Sequence, residues 1–245
     1  MVPFPAYLTI DDAPSAVTGQ KLDILEARGI VTAVWFCRGE FIEARPYVAE
    51  LILQRGHAIG NHSWNHPTFS KMRLTKCKAQ IERTEALIDE IHARAGIPRP
   101  AKWFRFPWGD KGAGTDLDLP GSPEGVEKAK ALQEFLREHG FVAPPFKDVV
   151  YPAYKGWDVS GDVDTWWTLD TYEWALISRK PRDDLRTIDD VLRRIDNWVA
   201  EKSGDADRVA SAEIIVIHDF EATAETFEPI IDRLVARGAT FLPFF

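Results

Sequence analysis

Two apolar periods alternate along the chain. Short β-branched or aromatic runs occupy 6–10, 31–37, 57–60, 103–106, 166–170, 213–217 and 240–245, and each predicts a strand. The 31–37 run, VTAVWFC, has no polar alternation beyond its threonine and reads as a buried strand. Between these runs the apolar residues follow helical spacing. Leu22, Ile24 and Leu25 give a helix over 19–28, stopped by Gly29, and a second helix spans 46–55, closed by Gly56. A third is expected to be capped by Thr75, with Ile81, Ile88, Ile91 and Ala95 on one side before Gly96. Ser122-Pro123-Glu124 starts a fourth, lined by Ala129, Leu132 and Leu136 and ended at Gly140. Thr187 and Asp190 resemble a capping box ahead of Ile188, Val191, Leu192, Ile195, Trp198 and Val199. A last helix covers 226–237. Strand–helix alternation on one chain implies an α/β fold with a mainly parallel sheet and crossover helices.

Polar clusters recur in one place, just after strands: Asp11-Asp12, His62 to His66, Arg105, Asp170 and His218. Parallel α/β folds gather their strand C-termini on one face, where sites are built. Five such ends carrying acids, histidines and an arginine predict one site.

Composition narrows the classes. The chain has 245 residues, 45% of them hydrophobic, with 9 Trp, 14 Phe and 5 Tyr, which argues against disorder. One domain over 1–245 is the economical expectation. No apolar stretch suffices for a spanning helix, so no membrane partner is expected. A formal net charge of −8 argues against a nucleic-acid partner, which needs a basic face. Two cysteines, Cys37 and Cys77, cannot build a disulfide framework or an all-cysteine zinc site. The first residues lack a basic segment followed by an apolar one. That fits a cytoplasmic protein, and equally a mature chain.

The strand-end residues suit metal-assisted hydrolysis. His62 and His66, four apart in NHSWNHP, can share a metal, or be two loop histidines. An oxygen ligand beside them leaves a position open for water. Asp11-Asp12 can supply it. Adjacent carboxylates on an extended strand point in opposite directions, so one can bind metal while the other acts as a base. An ordinary acidic helix cap is the alternative. Arg105 can pair with and orient the base, and His218 is placed to give a proton to a leaving group.

Five short segments then carry a resemblance. LTIDDAPS (8–15), HSWNH (62–66), RFPWG (105–109), LDTYEW (169–174) and IVIHD (215–219) resemble, in order, the five motifs of the polysaccharide deacetylases of carbohydrate esterase family 4, the NodB-homology group. The resemblance implies a distorted (β/α) barrel of seven or eight strands and an N-deacetylase acting on an acetylated carbohydrate. It implies zinc, with other divalent ions such as cobalt able to serve, held by Asp12, His62 and His66. Asp11 would be the base, Arg105 its holder, and Asp170 the partner that tunes His218 as acid. Trp174 and Ile217 would wall the acetyl pocket. The backbone N–H of Trp108 would face the oxyanion, and its ring would face the sugar. An O-acetyl esterase, a hydrolase of a non-sugar amide and an inactive carbohydrate-binding relative are the alternatives. The resemblance points to a secreted or periplasmic protein, against the missing export signal.

Three departures stand out. Ala13 and Trp108 replace the usual Gly and Tyr, and Glu173 replaces the second Asp of the fourth motif, leaving its role open. The interval between the third and fourth motifs is long. Its 110–164 part holds eleven acidic against six basic residues and is expected to overhang the groove and shape substrate choice.

Overall fold

The computed structural model describes residues 3–115, 121–151, 153–178 and 184–244. Parts of the 110–164 insert (116–120 and 152) and the end of the 240–245 run therefore lie outside the described residues.

A parallel sheet forms the centre. Strand β1 (Phe4–Ala13) pairs with β2 (Val34–Cys37) on one side and with β7 (Glu213–His218) on the other. Beyond β2 lies β3 (Ala58–Asn61), and beyond β7 lies β6 (Leu169–Asp170). The short β8 (Ala239–Phe241) pairs with the first residues of β1. The 103–106 run is not a regular strand. It makes single bridges, accepting Asn61 N–H at Trp103 O and donating from Arg105 N–H to Asn61 O. Thr165 N–H then donates to Phe104 O at 2.7 Å, tying this segment to the chain that enters β6. The sheet thus curls into a distorted barrel, its wall completed by irregular backbone.

The crossover helices are α1 (Thr18–Ala27), α2 (Gly39–Ala44), α3 (Pro46–Gln54), α4 (Leu74–Ala95), α5 (Pro123–Glu138), α6 (Ile188–Gly204) and α7 (Ala224–Ala236). α2 is the one that periodicity missed, because six residues are too few to show a period. Thr75 lies inside α4; Arg73 stands at its N-cap and offers no side-chain bond. The other two starts are as expected. Ser122 Oγ accepts Gly125 N–H, and Thr187 with Asp190 makes a reciprocal capping box. A two-stranded hairpin, β4 (Ala153–Tyr154) and β5 (Trp157–Asp158), lies in the insert. Among the described residues no helix is long and apolar enough to cross a membrane.

β1 carries the main core. Leu8 and Ile10 are buried with Trp35, Ile215 and Ile217 against the helix layer. Inside the wall, Phe36 packs beside Gly60, its register partner on β3. A Cβ on Gly60 would sit 2.5 Å from the Phe36 ring, and that ring lies 4.4 Å under the guanidinium of Arg105. Gly60 is therefore a space requirement. Gly60→Ala is expected to lower the thermal midpoint, at a cost of about 1–3 kcal/mol in stability. An unchanged melting curve would show that the Phe36 ring has room to move.

Candidate active site

The parallel strands bring their C-terminal ends to one cleft of about 1170 Å³. Asp11, Asp12, His62, His66, Trp108, Asp170, Trp174 and His218 all line it. Arg105 lies behind it, fully buried, and Ile217 does not reach it.

Asp12 needs a special backbone to get there. The β1–β2 register shifts between Asp11 and Ala13, leaving Asp12 as a bulge with φ 62°. The bulge replaces the opposed carboxylates expected of an extended strand: both now face the cleft. His66, Trp108, Lys155 and Tyr172, which also line the cleft, share this left-handed conformation. Strained non-glycine backbone concentrates at this site, as it does where geometry is over-determined by function.

The histidine loop is built from buried amides. Asn61 donates to Ile81 O and Glu85, and its Oδ1 accepts Ser63 N–H at 2.9 Å. Gln80 Oε1 accepts the N–H groups of Trp64 and Asn65. This folds a non-helical turn that sets the His62 and His66 rings 4.9 Å apart. His62 Nδ1 bonds Arg105 O at 2.9 Å; a carbonyl only accepts, so Nδ1 carries the proton and Nε2 keeps its lone pair. Burial lowers the pKa of His62 to about 4 and that of His66 to about 3, with Arg38 adding to the second. Both rings are neutral at pH 7, as metal ligands must be.

Donor atoms of Asp12, His62 and His66 all lie within 4.8 Å of one another. Asp12 Oδ1 is buried without a hydrogen-bond partner, 3.6 Å from His66 Nε2. Burial raises the Asp12 carboxyl above its ordinary value. That oxygen also lies 3.7 Å from Arg38 Nη1, beyond hydrogen-bond reach. A buried carboxylate oxygen with no hydrogen bond, facing neutral imidazoles, can be satisfied by a cation, so these residues fit a divalent metal.

Arg105 fixes Asp11. Its Nη1 donates to Asp11 Oδ1 at 2.7 Å and to Thr9 Oγ1 at 2.8 Å, while Nε and Nη2 hold the carbonyls of Thr165 and Trp166. Burial pushes the Asp11 carboxyl up, but Arg105, His62 and His218 outweigh it and hold it below the usual range.

His218 has a different partner from the one expected. Its Nδ1 lies 3.0 Å from Glu173 Oε1, which also accepts the His218 N–H at 2.5 Å. Glu173 Oε2 accepts from Thr171 Oγ1. Asp170 instead accepts Tyr172 N–H at 2.7 Å and Trp174 Nε1 at 3.4 Å, holding the turn and the indole. The longer glutamate reaches His218 from the start of a short 3-10 helix (Glu173–Ile177). Burial alone would lower the His218 pKa; Glu173 and then Asp170 and Asp11 raise it to about 10. Burial raises Asp170 to about 6.

The Ile217 assignment also needs correction. Side chains alternate along β7, so Ile217 joins the core behind the sheet while Val216 and His218 face the cleft. Trp166 and Trp167, rings stacked 4.5 Å apart, complete that wall. Sequence reasoning missed Val216 and Trp167 as wall residues; counting two back from His218 was the available signal for the first. Ala113, Gly114, Thr115, Gly121, Ser122 and Lys155 bring the insert to the cleft edge. Trp108 is 53% exposed, its ring 4.6 Å from that of His66.

The His218 assignment has a direct check. Glu173→Gln removes the charge that holds the imidazolium, so the His218 titration followed by NMR is expected to fall well below 10. Asp170→Asn should lower it less. Equal shifts would mean that Asp170 shares the pairing.

Residues 3–118 match the polysaccharide deacetylase family. A peptidoglycan-N-acetylglucosamine deacetylase from Bacillus cereus is 34% identical over 104 residues, covering 42% of this chain and 36% of that protein. Chitin deacetylase 1 of Saccharomyces cerevisiae is 26% identical over 201 residues, 82% of this chain and 50% of that one. The chain thus spans between about a sixth and a half of the length of the curated relatives it matches. In fold it is similar to the peptidoglycan deacetylase PdaC of Bacillus subtilis, with a TM-score of 0.61 at 22% identity, covering 98% of this chain and 88% of that one. Residues 3–118 thus resemble the polysaccharide deacetylases, and the chain has the fold of the family 4 carbohydrate esterases.

Proposed function

We propose that the protein is a metal-dependent hydrolase that removes N-acetyl groups from an acetylated amino-sugar polymer or oligomer. One observation carries the reading. An ionised carboxylate, Asp11, and a protonated imidazole, His218, face one cleft beside the Asp12, His62 and His66 donor set. Environments that push two titratable groups apart in this way assign the base and the acid.

A divalent cation held by Asp12, His62 and His66, zinc in the first place, supplies Lewis acidity for the carbonyl and lowers the pKa of water. The chain's own groups do the rest. Asp11, kept ionised and oriented by Arg105, takes a proton from the attacking water as the new C–O bond forms. The backbone N–H of Trp108 makes no hydrogen bond to another described residue and is free to meet the developing oxyanion. His218 uses Nδ1 on Glu173, which leaves Nε2 to protonate the amine as the C–N bond breaks. Acetate and a free amino sugar leave. Trp108, Trp167 and Trp174 offer flat faces for a sugar ring within the same cleft. The match to chitin and peptidoglycan deacetylases supports the same substrate class.

Two experiments test this. Acetate release should be seen on chitin oligomers or peptidoglycan and be lost with a chelator. Turnover only on acetylated xylan or simple amides would move the substrate class, and zinc binding without turnover on any substrate would favour a carbohydrate-binding protein. Asp11→Asn should abolish turnover with metal content intact, whereas Asp12→Asn and His62→Ala should lose the metal. Equal metal loss from all three would reverse the two aspartates.

A further inference from the structure

Asp11 and His218 are opposite each other in the last rung of the β1–β7 ladder. Beyond that rung β7 ends, and β1 continues only along β2, to Ala13 opposite Cys37. A buried ion pair begins at this point. Lys21, on α1, and Asp219, the residue after His218, meet at 3.0 Å with side chains 1% and 0% exposed. Neither belongs to the ligand set or to the acid–base pair.

The pair touches both strand ends. Lys21 Nζ donates to His218 O at 3.1 Å and to Phe220 O at 3.4 Å. Asp219 N–H donates to Asp11 O at 2.8 Å. The Asp219 carboxylate accepts Ser15 N–H and Ser15 Oγ, each at 2.9 Å, and also Thr18 Oγ1. The side chains of the pair therefore bind the His218 carbonyl and the turn that follows Asp12, and they fix the position of residue 219, whose backbone N–H bonds Asp11 O. β1 and β7 already pair in register from Ala6 with Glu213 onward, and a buried pair is often replaceable by neutral residues without loss of stability.

We propose that Lys21 and Asp219 are positioning residues that hold Asp11 and His218 at a fixed separation across the end of the β1–β7 ladder. This rests on the reading of Asp11 as base and His218 as acid. Small displacements of reacting groups are costly for the chemical step and nearly neutral for binding.

The test compares Lys21→Met, which strands a buried carboxylate, with the double variant Lys21→Met/Asp219→Asn, which removes both charges. The single variant should melt lower, and the double should regain most of the wild-type midpoint. In the double, kcat for acetate release from N-acetylated oligomers should stay about ten- to a hundredfold down with KM little changed. Amide hydrogen exchange at residues 218 and 219 should be faster, with the rest of β7 unaffected. A structural role predicts otherwise: kcat and local protection would return together with the melting point, and that result would overturn the proposal. If the wild-type chain releases no acetate from any oligomer, the deacetylase reading falls. The exchange measurement then decides the clamp alone, and unchanged protection at 218 and 219 refutes it.

Discussion

A fully buried guanidinium organises this molecule. Arg105 is 0% exposed, and a buried charge is tolerated only when its donors are satisfied. Its partners are one carboxylate, one hydroxyl and two backbone carbonyls, drawn from β1 and from the segment that enters β6. Its own carbonyl orients His62, and its plane lies on Phe36. The same side chain thus closes the irregular wall of the barrel and sets the charge state of Asp11. It also fixes the tautomer of His62, one of the proposed metal ligands. Stability and chemistry are coupled through one residue.

The cleft divides into regions of opposite electrostatic character. Around Asp11 the counter-charges outweigh burial, and the carboxyl stays ionised. Around His62 and His66 burial wins, and the rings stay neutral. Around His218 a buried glutamate outweighs burial, and the ring stays charged. In the proposed mechanism, proton acceptor, metal donors and proton donor are therefore distinguished by surroundings, since Asp and His alone supply all three.

Much of this was legible in the sequence because strand ends leave a signature: an apolar run that stops at a polar residue. Asp11, Asp12, His62, His66, Arg105 and His218 were all found that way, and the structure brings them together. What depends on direction was harder to read. Periodicity cannot show a bulge, so the turning of Asp12 into the cleft was hidden. Motif spacing did not say which of Asp170 and Glu173 reaches His218; a 3-10 helix starting at Glu173 decides it. Ile217 and Val216 differ only by which face of β7 they occupy; the run IIVI gives no alternation, and only the two-residue step back from His218 chooses between them. The 103–106 segment read as a strand because its residues are aromatic, yet its backbone pairs only in single bridges.

The central claim is that Arg105 overrides burial to keep Asp11 ionised. A carbon-detected NMR titration of the Asp11 carboxyl in the metal-free wild-type protein measures this directly. The account predicts a midpoint below the ordinary aspartate value of about 3.9. A midpoint above that value would show that burial outweighs the arginine, and would contradict the assignment of Asp11 as a ready base.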